Sequence, residues 1–246
     1  MKLFFSPSKG MNYKNCKYNI ENLELDQNFK DKADYLVSVL KSFSKEETGK
    51  KLKIKDKILD DVYDLYQNFY EKKEREAICL YDGVSYKQIH VENFSEKKFE
   101  YMKENVFIFS ALYGVMNATT LIRPYRLDMT NKILPISPYE FWKNEVENYL
   151  SKFKDDIFIN LASNEFSKIL NKKLFNIIDI EFRQLDRDKV KNISTEAKKA
   201  RGSLLNYIIV NEIHNLEDIK KFDLLDYSFS QEFSSEKSMF FIKKIG

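Results

Sequence analysis

Between Ser110 and Met129 the chain reads SALYGVMNATTLIRPYRLDM, a stretch that carries two arginines and two tyrosines beside a proline. Guanidinium forks and phenol groups together suit a phosphate or carboxylate held by paired hydrogen bonds against an aromatic wall. If Ile122 to Met129 is extended, Arg123, Tyr125 and Leu127 share one face, and Arg126 and Asp128 the other. Pro124 lacks an N–H and belongs at an edge or a bend. The plain alternative stays open: Arg126 pairs with Asp128, and Arg123 is solvated.

A second basic segment follows in TEAKKARGSLLNYIIVNEI, read as a helix from Thr195 to Ile213 with Ser194 or Thr195 as N-cap. Lys198, Lys199 and Arg201 then fall in its first two turns. Cations there oppose the helix dipole by up to about 1 kcal/mol each, and a bound anion reverses the sign. Lys198, Arg201 and Gly202 share a face, and Gly202 leaves room for a backbone or ligand to come close. An exposed lysine face offset by Glu196 is the alternative. From Arg183 to Ser203 there are seven basic and three acidic residues, +4 against +3 for the whole chain.

The elements that must position these groups are short apolar runs, four of which end in polar residues. They are FF-SPSK (Ser6, Lys9), ICLY-DG (Asp82, Gly83, then Tyr86), FIFSAL-YG (Tyr113, Gly114) and FINLA-SNE (Ser163, Asn164, Glu165). Ligands bind at the carboxyl ends of strands in open sheets, so four parallel strands would gather these groups on one rim. Serine, asparagine, aspartate and glycine also stop strands without binding anything, and that reading stays open for each cluster. On such a rim, Glu165 or Asp128 is a candidate general base, and Lys9 a candidate nucleophile or phosphate anchor.

The rest of the chain alternates helices and strands. Strands are expected at Lys2 to Phe5, Ala77 to Tyr81, Val106 to Leu112, Ile157 to Ala162 and Met239 to Lys243, with extended chain from Leu174 to Leu185. Helices are expected at Asp26 to Phe43, Ile54 to Tyr70, Ser95 to Glu104 and Tyr139 to Phe153, with Ser163-Asn164 capping another through Leu170 and Ser44/Glu47 forming a capping box. No linker, repeat or domain break interrupts the 246 residues. The expectation is one mixed α/β (α+β) domain over 1–246, with a central mixed sheet surrounded by helices.

Composition narrows the function. The N-terminus MKLFFSPSKG holds three consecutive apolar residues, too few for a signal-peptide core, and no run approaches a membrane span. The spacing of Cys16 and Cys79 suggests no bridge, so reduced thiols and a cytoplasmic setting are expected. Only His90 and His214 are available as imidazole ligands, and no HxxxH or CxxC occurs, so no metal site or cofactor is expected. Trp142, with Tyr139 and Phe141, could stack a base, but Phe141 and Trp142 are read as core.

Six ordered segments together resemble the YaaA family of bacterial peroxide-stress proteins: FFSPSK, YDGVSY, SALYGV with RPYRLDM, Phe141-Trp142, INLASNE and EAKKARG. The resemblance runs along nearly the whole chain. It implies a cytoplasmic oxidative-stress protein that binds duplex or damaged DNA in a positively charged cleft, carries a helix-hairpin-helix-like element and limits iron-driven damage. The hairpin is assigned to Ala111–Val115. The DNA-contacting set expected is Ser6, Lys9, Tyr86, Tyr113, Gly114, Arg123, Tyr125, Arg126, Asn160, Ser163, Lys198, Lys199 and Arg201, on a monomer without membrane contact. The alternative is an enzyme acting on a nucleobase, nucleotide or damaged DNA in the same cleft.

Overall fold

In the computed structural model, which describes residues 1–13, 24–187 and 189–245, Leu3, Phe4 and Phe5 are all buried. A strand apolar on both faces needs cover on both, the signature of a parallel sheet flanked by helices. In chain order the elements are β1 (Lys2–Phe5), α1 (Gln27–Ser42), α2 (Lys45–Leu52), α3 (Asp56–Gln67), β2 (Arg75–Glu76), α4 (Ala77–Leu80) and α5 (Glu96–Asn105). Then come β3 (Val106–Ser110), β4 (Gly114–Asn117), β5 (Leu121–Ile122), α6 (Pro138–Leu150), β6 (Ile157–Asn160), α7 (Asn164–Ser167) and β7 (Asn176–Asp186). The chain closes with β8 (Lys189–Lys191), α8 (Ser194–Val210), α9 (Leu216–Ile219), β9 (Ser228–Ser235) and β10 (Ser238–Ile245).

The main sheet runs β4-β3-β1-β6-β7-β10-β9, with β8 also on β7. Five neighbouring strands, β3, β1, β6, β7 and β10, are mutually parallel, and antiparallel β4 and β9 form the outer strands. The mixed single-domain architecture expected from the sequence is therefore observed. Phe4 stacks on Phe158 at 5.0 Å on one face of the sheet, while Phe5 meets the edge of Tyr86 at 5.3 Å on the other. Helix α5 packs on β1 and β3 and against α8, which covers β7; α1 and α6 pack on β4. The Ser44/Glu47 capping box forms reciprocally at the start of α2. Trp142 is fully buried and donates from Nε1 to the Ala111 carbonyl at 2.9 Å.

Four expectations are corrected. Ala77–Leu80 is one turn of helix rather than a strand, its N–H groups at 77 and 78 donating to the Thr120 and Ala118 carbonyls. Four buried apolar residues in a row fit a buried strand or a buried helical turn equally, and periodicity cannot separate them. Extended chain beyond Ile122 does not pair: only Leu121–Ile122 forms a ladder, with β2. Ala111–Val115 holds the turn of a β-hairpin between β3 and β4, so it is not a helical hairpin. Gly114 sits there at φ +73°, and a Cβ would come within 2.6 Å of the Phe29 ring. Cys79 is fully buried and is not a free thiol, against expectation; Cys16 lies outside the described residues. No helix of the described residues is long and apolar enough to cross a membrane.

Candidate functional site

Strand β1 has β3 on one side and β6 on the other, so the chain leaves its carboxyl end at a point where connections diverge. Such a switch point opens a crevice beyond the strand ends. Here it is a cleft of about 380 Å³. Its floor is the loop after β1 (Ser6 to Gly10) and the residues after β6 (Leu161, Ser163, Glu165, Phe166). Its walls are Asp82 to Tyr86, the segment Tyr125 to Asp128, and Lys198 and Arg201 from α8. Ser6 ties the two strand ends together, its Oγ accepting from the Ser163 N–H at 2.8 Å.

The wall Arg123–Asp128 lies outside both sheets, so its backbone needs other partners. Buried tyrosines supply them. The Tyr66 hydroxyl accepts from the Arg126 N–H at 3.2 Å and donates to the Arg126 carbonyl at 2.9 Å. The Tyr113 hydroxyl does the same at Arg123, at 3.1 and 3.2 Å. The Tyr125 hydroxyl shares a hydrogen bond with Tyr81 at 2.7 Å and accepts from Ser110 Oγ at 2.8 Å. Desolvation raises the hydroxyls of Tyr66, Tyr81, Tyr113 and Tyr125, that of Tyr125 to about 12, so all remain protonated donors.

Helix α8 reaches the cleft because Gly202 lets it touch the 83–88 turn; a Cβ there would lie 2.0 Å from the Ser85 carbonyl oxygen. The residue before the helix is Ile193, which offers no side-chain cap, in place of the serine or threonine expected. Lys198 and Arg201, three apart, face the cleft, while Lys199 turns away to Glu196 at 3.0 Å.

Electrostatically the lining is mixed. Lys9 pairs with Asp128 at 2.5 Å. Arg126, Lys198 and Arg201 have no ion-pair partner among the described residues, and Arg201 Nε is buried without a hydrogen-bond acceptor. Burial lowers the Arg201 guanidinium; Glu181 opposes this from its own 2.7 Å pair with Arg183, which lowers it further. Burial pushes the Glu165 carboxyl above its ordinary range, Asp128 adding to the shift while Lys9, the Met129 N–H and Lys198 oppose it. The arrangement can hold an anion and offers an acid–base carboxyl next to it.

Of the residues expected from sequence, Ser6, Lys9, Tyr86, Tyr125, Arg126, Ser163, Lys198 and Arg201 converge on this cleft, as do Asp128 and Glu165. Five do not line it. Arg123 pairs with Glu74 at 2.5 Å, and Tyr113 is buried holding the backbone at Arg123. Gly114 packs under Phe29 and Trp142, Asn160 donates to Asp179 at 2.8 Å, and Lys199 is engaged with Glu196. Sequence reasoning missed Tyr66, whose place on an amphipathic helix gave only a core signal. Both histidines are exposed: His90 faces Glu92 at 3.7 Å, and His214 meets the Tyr101 ring at 5.1 Å. Among the described residues no group of three or more His, Cys, Asp and Glu could hold a metal ion.

A family model described as "Peroxide stress protein YaaA" matches residues 1–233. A UPF0246 protein of Fusobacterium nucleatum is 40% identical over 246 residues, spanning 99% of each chain. One of Finegoldia magna is 36% identical, covering 100% of this chain and 99% of its own, and one of Francisella philomiragia is 32% identical over 99% and 100%. The chain belongs to the YaaA family of peroxide stress proteins, which supports a role in the oxidative stress response.

Proposed function

We propose that the protein binds DNA through phosphates drawn to this cleft, acting in the cytoplasm to limit iron-driven damage during peroxide stress. The observation that carries the reading is the meeting of Arg126, Lys198 and Arg201 at one cleft with no ion-pair partner among the described residues, the Arg201 Nε buried without an acceptor. Keeping a guanidinium partly buried and unpaired is costly, and a phosphate would repay that cost with charge-assisted hydrogen bonds. Phosphate contacts carry little sequence preference and are strongly weakened by salt.

The test is fluorescence anisotropy with a labelled duplex at two salt concentrations. The combined substitution Arg126→Ala, Lys198→Ala, Arg201→Ala should weaken binding about tenfold or more and flatten the salt slope by about one unit per lost phosphate contact. Lys199→Ala, on a lysine already paired, should leave affinity nearly unchanged. Unaltered affinity in the triple variant would remove the role given to these cations.

Glu165 gives the binding a pH dependence. Its carboxyl titrates above the ordinary value of 4.5, chiefly because burial disfavours the charge. Protonation as pH falls through that raised range removes a negative charge beside the bound phosphate, so affinity for a phosphodiester should rise. Glu165→Gln should abolish that rise and bind roughly two- to fivefold tighter at pH 7, the size of one screened charge contact of about 0.5–1 kcal/mol. The reverse trend, or none in the wild type, would separate Glu165 from the anion site.

A second reading, an enzyme acting on a nucleobase, nucleotide or damaged DNA, is favoured by Glu165, Asp128 and Lys9 standing together on the cleft lining. Turnover of damaged-base oligonucleotides, lost in Glu165→Gln, is its signature.

A further inference from the structure

Four basic side chains line the cleft (Lys9, Arg126, Lys198, Arg201), and three acidic ones line it with them (Asp82, Asp128, Glu165). A stretch of polyanion laid through such a lining would meet carboxylates as well as cations. The volume, about 380 Å³, lies near the lower end of small-ligand sites, which run from about 300 to 1,000 Å³. A double helix, whose major groove alone is about 12 Å wide, does not enter it.

From this we infer that the cleft holds one nucleotide unit: a single phosphate taken by Arg126, Lys198 and Arg201, with the hydrogen-bond donors of base and sugar meeting Asp128 and Glu165. This deepens the proposed DNA binding and rests on it. The chemistry is that of a nucleoside monophosphate, supplied either free or as one residue turned out of a duplex.

Three further features support a site shaped for one unit. The lining is divided chemically: Phe5, Tyr86, Leu127 and Phe166 give it apolar area that a flat ring can cover and a bare phosphate cannot use. The buried Arg201 Nε lacks an acceptor that a phosphate oxygen would provide. The walls are also set in advance. Ser8 Oγ donates to the Asp82 carbonyl at 3.1 Å, the Tyr86 hydroxyl to the Ser6 carbonyl at 2.8 Å, and Tyr66 fixes both backbone groups of Arg126. Preorganised walls reduce the ordering lost on binding. A base leaving a duplex for this cleft would give up stacking and pairing, a loss smallest where the base is already unpaired.

The test uses the full chain and isothermal titration with deoxyadenosine 5′-monophosphate, deoxyadenosine and inorganic phosphate, alongside anisotropy of a matched duplex and one with a single unpaired adenine. The nucleotide should bind at least tenfold tighter than either fragment, and Arg201→Ala should weaken it at least tenfold. Lys198→Ala, at an exposed position that leaves folding intact, should weaken it severalfold. Tighter binding of the unpaired-base duplex, with competition by the nucleotide, assigns the unit to DNA. Equal binding of the two duplexes beside tight nucleotide binding assigns it to a free nucleotide. A nucleotide that binds no better than inorganic phosphate, or is indifferent to both substitutions, overturns the inference. If duplex binding still depends on Arg126, Lys198 and Arg201 in that case, the proposed DNA binding survives alone; if no duplex binds, both fall.

Discussion

Tyr66→Phe should lower stability by about 2–4 kcal/mol, far more than the loss of one hydroxyl from a protein surface. The Tyr66 ring is 1% exposed, and its hydroxyl is the partner of both the N–H and the carbonyl of Arg126. Phenylalanine fills the same space but strands two backbone groups in a segment with no ladder to re-pair them. Each stranded group costs about 1–3 kcal/mol. For a chain of this size, thermal unfolding should move down by roughly 4–16 °C. Tyr70→Phe is the control: Tyr70 is half-exposed, its hydroxyl bonds only the Asp34 side chain at 2.9 Å, and the shift should stay within about 2 °C. Because Tyr66 fixes Arg126 and touches no ligand, the variant should also weaken duplex binding severalfold below its unfolding temperature. Equal melting of Tyr66→Phe and Tyr70→Phe would refute the part given to the tyrosines.

Gly202→Ala should damage both fold and cleft. Alanine ordinarily improves a helix interior by about 1 kcal/mol over glycine. Here its methyl would fall 2.0 Å from the Ser85 carbonyl oxygen and 2.8 Å from the carbonyl carbon, and backbone atoms cannot rotate away. Helix α8 must move off the 83–88 turn, at an overpacking cost of about 1–3 kcal/mol that outweighs the propensity gain. Lys198 and Arg201 move with the helix they sit on, so duplex affinity should fall about tenfold. Thermal unfolding and anisotropy read the two effects together. A stabilised variant with unchanged affinity would show that α8 does not depend on this close approach.

How far the sequence carried can be judged on these same residues. The β1 and β6 strands, the parallel sheet and the gathering of Ser6, Lys9, Ser163 and Glu165 were legible because apolar runs ending in polar residues mark strand ends, and parallel order brings those ends together. Lys198 and Arg201 were legible from spacing on one helix face. Lys199 was not separable from them, because its partner Glu196 depends on rotamer choice, not on spacing. Tyr113, Gly114 and Asn160 carry the residue types of a site but serve the hairpin and the β6–β7 junction, a distinction visible only once neighbours are known. Arg123 and Arg126 stand three apart in one motif; only the placing of Glu74, from a distant part of the chain, neutralises the first and leaves the second facing the cleft. The turn of helix at Ala77–Leu80 was hidden by uniform burial.

The most direct measurement is a crystal structure with a short oligonucleotide carrying one unpaired residue. The account predicts a phosphate between Arg126, Lys198 and Arg201, with the guanidinium of Arg201 bonded to its oxygens. Phosphates bound only along another surface, with the cleft holding solvent, would contradict it.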